Sequence, residues 1–147
     1  MSTRATIRII EKDKDGEVVL GKVHREVWLY HHSDGYPKYV GKILREYLKS
    51  KFSIDSANEV ATDIIRIKDG DKFDGFELTT RQHGDVDYTY VITIEKERFR
   101  NTATLICYKT DWTKLKFTGD FKKDTEDFVS TFESPENLID LDKEIDE

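Results

Sequence analysis

The stretch EVWLYHHSDGYPKYVGKIL, residues 26–44, changes from the period of a strand to that of a helix within a few positions. Its first part alternates two kinds of side chain as far as His31 and His32, and Ser33-Asp34-Gly35 then has the composition of a tight turn. Pro37 suits the first position of a helix, where its missing N–H is not needed. The segment therefore predicts a helix over 37–51 whose apolar stripe is made of Val40, Ile43, Leu44, Tyr47 and Leu48.

Strand and helix patterns continue on both sides of this stretch. Residues 4–11 alternate apolar and polar side chains, which predicts a half-buried strand, and an Asp-Gly turn leads to a second strand pattern over 17–32. Ser56 and Glu59 form a capping box at the start of a second helix. Further strands are predicted at 76–80, 87–96, 102–109 and 114–121, with helices within 124–132 and after Pro135.

This order of elements predicts one α+β domain, with an antiparallel sheet and the two central helices packed on one face. The domain is expected to span residues 1–132, followed by an acidic C-terminal tail or short helix at 133–147. Those last residues hold seven acids and one base, whereas the other 132 residues balance to zero, so the net charge of −6 lies entirely in the tail.

Composition narrows the class of protein. A chain of 147 residues suits a single domain, and eight Phe, seven Tyr and two Trp supply core material. No run approaches the roughly 20 apolar residues of a membrane helix, and no signal segment is visible, so we expect a cytoplasmic protein with no membrane partner. The neutral body argues against nucleic acid. Cys107 is the single cysteine and is predicted to be a buried hydrophobe.

The strand-turn-helix stretch is the best candidate for a binding site. Strand alternation directs His31 to the core and His32 to the other face, with Trp28 and Tyr30, where aromatic rings could hold a planar ligand. The helix N-terminus could hold an anion. Alternatively, the rings only stabilise the strand and the turn is ordinary turn chemistry, with Gly35 at positive φ. The predicted ligand-binding residues are Arg4, Trp28, Tyr30, His32, Ser33, Asp34, Gly35, Tyr36 and Arg81.

A second polar loop, TRQHGDVDY, carries His83 and Asp85. If it lies beside the first turn, His32, Asp34, His83 and Asp85 would form a mixed nitrogen and oxygen set able to bind a divalent metal. Their spacing alone does not require this arrangement. The chain has no phosphate-binding glycine loop and no G-x-S-x-G motif, and we predict no cofactor.

The first third of the chain resembles a loosely defined group of small uncharacterised proteins from bacteria, archaea, phages and prophages. These proteins share a Ser-Thr-Arg-x-x-Ile strand, an aromatic-x-His-Ser/Trp-Asp-Gly-Tyr segment and a helix with x-x-Val-Gly-x-x-Leu. The resemblance implies a mobile-element or accessory protein and brings no established activity with it. The matching residues are Ser2, Thr3, Arg4, Ile7, Tyr30, His32, Asp34, Gly35, Tyr36, Val40, Gly41 and Leu44.

Three functions follow from these patterns as hypotheses. The first is a non-enzymatic binding module that recognises a partner protein or a small anionic, nucleotide-like ligand at the HHSDGYP turn. The second is a small metal-dependent hydrolase that uses the four residues of the mixed set. The third is a structural accessory protein that forms a homo-oligomer through apolar side chains of Trp28, Tyr30, Trp112, Leu138, Leu141 and Ile145.

Overall fold

The computed structural model describes residues 3–13, 25–68, 75–97, 99–114 and 131–146. Within them the helices are α1 (Lys42–Ser50), which a π-helical turn (Pro37–Gly41) precedes, α2 (Ala57–Ile65) and α3 (Leu141–Asp146). The strands are β1 (Ala5–Asp13), β2 (Glu26–His31), β3 (Glu77–Thr79), β4 (Tyr88–Lys96), β5 (Thr102–Lys109) and β6 (Leu138–Ile139). The parts of the predicted elements that cover residues 17–24, 115–121 and 124–130 lie outside the described residues. None of the described helices is long and apolar enough to span a membrane.

The strands form one mixed sheet in the order β3-β2-β1-β4-β5-β6. β1 and β2 are antiparallel, but β1 and β4 are parallel, with Ala5 opposite Tyr88. The prediction of an antiparallel sheet is therefore wrong at this central pair. The reason is topological: β3 lies beside β2 and β4 lies beside β1, so residues 80–87 must carry the chain across two strands. β4 consequently enters the sheet in the direction of β1.

Helices α1 and α2 contribute to one apolar cluster on one face of the sheet. Ala5, Ile7 and Ile9 of β1 are fully buried there, and Leu44 of α1 packs with them. Cys107 is also fully buried in this cluster, as predicted, and burial raises the pKa of its thiol. The other fully buried members are Leu29, Val40, Ala57, Val60, Ile64, Tyr90, Ile92 and Ile94.

The N-terminus of α2 is fixed by two side chains. The Ser56 hydroxyl accepts a hydrogen bond from the backbone N–H of Glu59 at 3.1 Å, which confirms the predicted N-cap. The carboxylate of Glu11, on β1, accepts a second one from the N–H of Ala57 at 2.5 Å. Because a carboxylate at this end also interacts favourably with the helix dipole, Glu11 connects α2 to the sheet.

The opposite face of the sheet is covered as well. Alternation in β1 predicts solvent on this side, yet Thr6 is fully buried and Thr89, its neighbour on β4, is only 1% exposed. Trp28 and Val91 are also buried on this face, and Phe132 is buried. β1 and β4 are therefore shielded on both sides, which is usual for parallel strands at the centre of a sheet.

Residues 133–146 contribute to the sheet and the core. β6 pairs with β5, and α3 lies against the turn that precedes α1. A Cβ atom on Gly41 would lie 3.0 Å from Cδ1 of Leu141, so α3 packs closely on this glycine. Arg45 of α1 donates to the carboxylate of Asp146 at 3.0 Å. Part of the acidic charge of this segment is thus paired with α1.

Candidate functional site

The turn that follows β2 is held against the start of β1 by close backbone packing. The N–H of Gly35 donates to the carbonyl of Thr3 at 2.8 Å, and the buried hydroxyl of Tyr90 donates to the carbonyl of Gly35 at 2.7 Å. Gly35 was expected at positive φ, but the residue with positive φ is Asp34, at 57°. Gly35 is needed for a different reason, because a Cβ atom there would lie 2.9 Å from the Cβ of Ala5.

The backbone at the helix start is already engaged in hydrogen bonds. The N–H groups of Tyr39 and Val40 both donate to the carbonyl of Tyr36, at 3.0 and 3.1 Å, and Pro37 has no N–H. An anion bound by these two amides would have to displace their internal hydrogen bonds.

Residues 80–87, which we call the crossing segment, lie on the sheet face opposite the helices. Gln82 anchors the segment: it is 2% exposed, and its amide oxygen accepts a hydrogen bond from the hydroxyl of Thr6 at 3.1 Å. Its amide nitrogen donates to the carbonyl of His83 at 2.9 Å and to the hydroxyl of Thr89 at 3.4 Å. This anchor places His83 next to β2.

His83 and the end of β2 form a compact group of rings. The imidazole of His83 stacks on the phenol ring of Tyr30, with 4.3 Å between the centroids and an angle of 16° between the planes. The Tyr30 hydroxyl lies 3.3 Å from Nδ1 of His32. We refer to Tyr30, His32 and His83, together with the flanking Arg4 and Asp85, as the histidine–tyrosine cluster. The two predicted polar loops therefore do lie together.

Charged groups surround these rings. Nη1 of Arg4 donates to the carboxylate of Asp85 at 2.6 Å, and both side chains are partly exposed, at 36% and 51%. The Nε atom of Arg4 is buried without a hydrogen-bond partner. Burial, followed by the negative charge of Asp85, raises the pKa of the Tyr30 hydroxyl. Tyr30 therefore remains a neutral donor at physiological pH.

We expect His83 to titrate below the ordinary value of 6.5, because burial lowers its pKa and the charge of Arg81 lowers it further, against the opposing effect of Asp85. Its stabilising contribution is present above that value and is lost as the pH falls. Asp85→Asn should lower the His83 pKa further and Arg81→Gln should raise it. Titration of the imidazole signals by NMR measures both changes, and shifts in the reverse directions would contradict the assignment.

The cluster has a hydroxyl, an imidazole and a carboxylate in the order of a catalytic relay, but the distances between them differ from those of a relay. Nε2 of His83 lies 2.8 Å from the hydroxyl of Thr79, and its Nδ1 lies 4.0 Å from the carboxylate of Asp85. The second distance is beyond hydrogen-bond range, and Asp85 is engaged by Arg4. Asp85 is therefore not placed to orient the imidazole of His83 as a catalytic relay requires.

The remaining predicted ligand residues are placed differently. Trp28 is 7% exposed and lies under the guanidinium of Arg8, 5.4 Å from the ring centroid, so its ring is not a ligand platform. Asp34 and Arg81 are exposed, and Ser33 is partly exposed. Tyr36 is 40% exposed and lies on the helix side of the turn, near Tyr39. His31 points to the core, as predicted, and its Nδ1–H donates to the carbonyl of Gly75 at 2.6 Å.

The four residues predicted to bind a metal do not form a metal-ligating group. Among the described residues, which include all four, no set of three or more His, Cys, Asp or Glu side chains is arranged to hold an ion. His83 is bonded to Thr79 and stacked on Tyr30, whereas Asp85 is paired with Arg4.

Sequence reasoning missed two residues that build the cluster and gave no role to a third, Asp87 of the second polar loop. Gln82 anchors the crossing segment, and Thr79 fixes the ring of His83. The carboxylate of Asp87 accepts a hydrogen bond from the N–H of Arg4 at 3.1 Å, so Asp87 holds the start of β1. No local pattern marks these residues, because their partners lie on strands that only the sheet order brings near.

These features describe an α+β domain whose crossing segment builds a cluster of histidine and tyrosine side chains at one end of a mixed sheet. Comparison of the chain with models of protein families, with curated proteins and with solved structures finds no match.

Proposed function

We propose that the protein is a non-enzymatic binding module and that the histidine–tyrosine cluster recognises a small anionic ligand with a planar ring, such as a nucleotide. One observation carries the proposal: Tyr30 lies between His32 and His83, which come from segments far apart in the sequence. His32 is exposed and His83 partly exposed, so both imidazoles can be reached from solvent.

Each part of such a ligand has a counterpart in the cluster. The imidazole of His32 offers an exposed ring for stacking, and stacking on aromatic side chains contributes about 1–3 kcal/mol per base. The partly exposed guanidinium of Arg4 and the exposed Arg81 supply positive charge for a phosphate or carboxylate. Asp85 holds Arg4 in place until the ligand anion competes for it.

We further propose that the module acts in the cytoplasm and that, as the resemblance of its first third implies, it comes from a mobile element. The alternative in which the same cluster contacts a partner protein would use the same exposed rings. Titration with small ligands distinguishes the two versions. A site that recognises a partner protein depends on a large buried contact area, which a nucleotide cannot supply.

We expect adenosine monophosphate to stabilise the protein, and inorganic phosphate and adenosine to have weaker effects because each supplies half of the interactions. A ligand at a hundred times its dissociation constant adds about 2.7 kcal/mol to the free energy of unfolding, which a thermal-shift titration detects easily. Isothermal titration calorimetry then gives the affinity. Cyclic dinucleotides extend the panel with two rings and two phosphates.

The matched variants are Arg4→Gln in the cluster and Arg100→Gln, which removes the same charge from an exposed site at the opposite end of the sheet. Arg4→Gln should raise the dissociation constant for adenosine monophosphate by about tenfold or more, since a charge-assisted hydrogen bond is lost. Arg100→Gln should bind like the wild type. Absence of any shift with the whole panel would reject the small-ligand proposal, and equal binding by both variants would reject this location.

A further inference from the structure

The carboxylate of Asp85 has one oxygen that is engaged and one that is not. Oδ2 accepts a hydrogen bond from Nη1 of Arg4 at 2.6 Å. Oδ1 lies 4.0 Å from Nδ1 of His83, which is too far for a hydrogen bond, and it accepts none from the residues that the structure describes. Because an ionised carboxylate is only an acceptor and this side chain is 51% exposed, Oδ1 is available to a donor that arrives from solvent.

Asp85 lies on the same surface as the rings of the histidine–tyrosine cluster. It follows His83 by two residues in the crossing segment, and His83 stacks on Tyr30. After burial, the charge of Asp85 is the largest cause that raises the pKa of the Tyr30 hydroxyl, and this hydroxyl lies 3.3 Å from Nδ1 of His32. A planar ligand at these rings is therefore beside a carboxylate acceptor.

The positive charge at these rings is balanced by carboxylates. The largest charge effects on Tyr30 and His83 come from two bases and two acids, which are Arg4, Arg81, Glu77 and Asp85. A phosphate that binds the arginines also lies near the carboxylate of Asp85, and like charges repel. N–H donors on the same ligand offset this repulsion, because a hydrogen bond to a charged acceptor is stronger than one to a neutral acceptor. The cluster is therefore better suited to an anion that also donates hydrogen bonds than to an anion alone.

We infer that the ligand of the histidine–tyrosine cluster is a guanine nucleotide and that Asp85 selects its base. This inference rests on the proposed function and names the ring that the cluster would hold. Guanine presents two N–H donors side by side, N1–H and the 2-amino group, and a carboxylate accepts from both through charge-assisted hydrogen bonds. Adenine presents its amino group next to an acceptor, N1, which repels a carboxylate oxygen. Arg4 and Arg81 remain for the phosphate.

The experiment is calorimetric titration of the full chain with guanosine, inosine and adenosine monophosphates. The three ligands share the ribose and the phosphate and differ only in the base. Inosine keeps N1–H but lacks the 2-amino group, and adenine has neither of these donors. We expect guanosine monophosphate to bind about tenfold more tightly than adenosine monophosphate, because it adds a hydrogen bond to a charged acceptor. Inosine monophosphate should lie between them.

Three variants separate recognition of the base from binding of the phosphate. Asp85→Asn should reduce the preference for guanosine over adenosine monophosphate to about twofold or less, because an amide offers one acceptor and one donor in place of two acceptors. Arg4→Gln should weaken both nucleotides by similar factors and leave their ratio unchanged. Glu77→Gln is the matched control, since it removes an exposed carboxylate from β3, opposite Tyr30, and should also keep the ratio.

The outcomes distinguish this inference from the proposed function. Equal affinities of the wild-type chain for the three nucleotides, or a preference for guanosine monophosphate that Asp85→Asn retains, would overturn the role of Asp85 and leave the nucleotide site in place. Loss of the preference in Glu77→Gln as well would show that the total charge of the surface, and not Asp85, selects the base. Absence of binding by all three nucleotides would overturn both the inference and the proposed function.

Discussion

Replacing Arg8 with alanine is expected to lower the free energy of unfolding by about 3–5 kcal/mol. The Arg8 guanidinium donates from Nη1 to both carboxylate oxygens of Glu133, at 2.9 and 3.0 Å, and from Nε to Glu26. The side chains of Arg8 and Glu133 are only 19% and 14% exposed. Removal of Arg8 would leave a largely buried carboxylate without its counter-charge, and urea unfolding followed by circular dichroism measures the loss.

The pH dependence of this loss separates two effects of the substitution: the loss of the Arg8 charge beside Glu133 and the loss of the packing of Arg8 on Trp28. Burial raises the pKa of Glu133, and Arg8 opposes that rise. In Arg8→Ala the pKa of Glu133 should rise further. A carboxyl group whose pKa is raised in the folded state contributes stability below the ordinary value of 4.5, and this contribution is lost as the pH rises through the pKa of the folded state. The variant should therefore be damaged more at neutral pH than at low pH.

Arg45→Ala is the matched control, because Arg45 pairs with Asp142 and Asp146, whose side chains are 78% and 65% exposed. Exposed ion pairs contribute little, so a much smaller loss is expected. An Arg8 variant that unfolds like the Arg45 variant, or whose loss does not depend on pH, would show that Glu133 is solvated and that the ion pair is not a structural element of this face.

The spacing of residues along the sequence was sufficient to predict the helices and strands that bury a single, well-defined face. The helical spacing of Val40 and Leu44 and the N-cap at Ser56 predicted two helices that the structure confirms. Strand alternation also directed His31 to the core and His32 to the opposite face, and the structure has His31 buried and His32 exposed. Such predictions work because neighbouring residues share one helix or strand, so their relative directions follow from backbone geometry alone.

The strand order could not be deduced in the same way. β3 has three residues, and nothing in their pattern shows that the chain then crosses β2 and β1 before it forms β4. Thr6 and Thr89 alternate like solvent-facing residues, yet both are buried beneath the crossing segment through Gln82. A buried polar contact between distant segments leaves no periodic signal in either of them.

One part of the candidate site could be predicted from the sequence and another part could not. Tyr30 and His32 could be assigned to one face of a strand, and His83 was noted because its loop resembles the first. That the loops meet through a ring stack on Tyr30 depends on the crossing segment, which only the structure shows. For the same reason the four residues proposed as metal ligands lie in the right region but interact with other partners.

Replacing Gly35 with alanine is expected to lower the free energy of unfolding by about 3 kcal/mol. The added Cβ would lie 2.9 Å from the Cβ of Ala5, 3.0 Å from the carbonyl oxygen of Thr3 and 3.1 Å from the carbonyl carbon of Arg4. Two of these neighbours are backbone atoms of the residues that lead into β1, so the clash cannot be relieved by a change of rotamer. Urea unfolding measures the loss, and NMR signals of the nearby Tyr90 should shift.

Gly75→Ala is the control for a backbone effect alone, because Gly75 has a φ of +77° and no atom of the described residues lies within 4 Å of the added Cβ. It should cost about 1 kcal/mol. The double variant Ala5→Gly, Gly35→Ala should recover part of the loss, since the closest contact is removed while the two backbone contacts remain. Equal losses for the two single glycine variants, or additive losses in the double variant, would mean that the turn moves away from β1 easily. The position of His32 beside the sheet would then not depend on this packing.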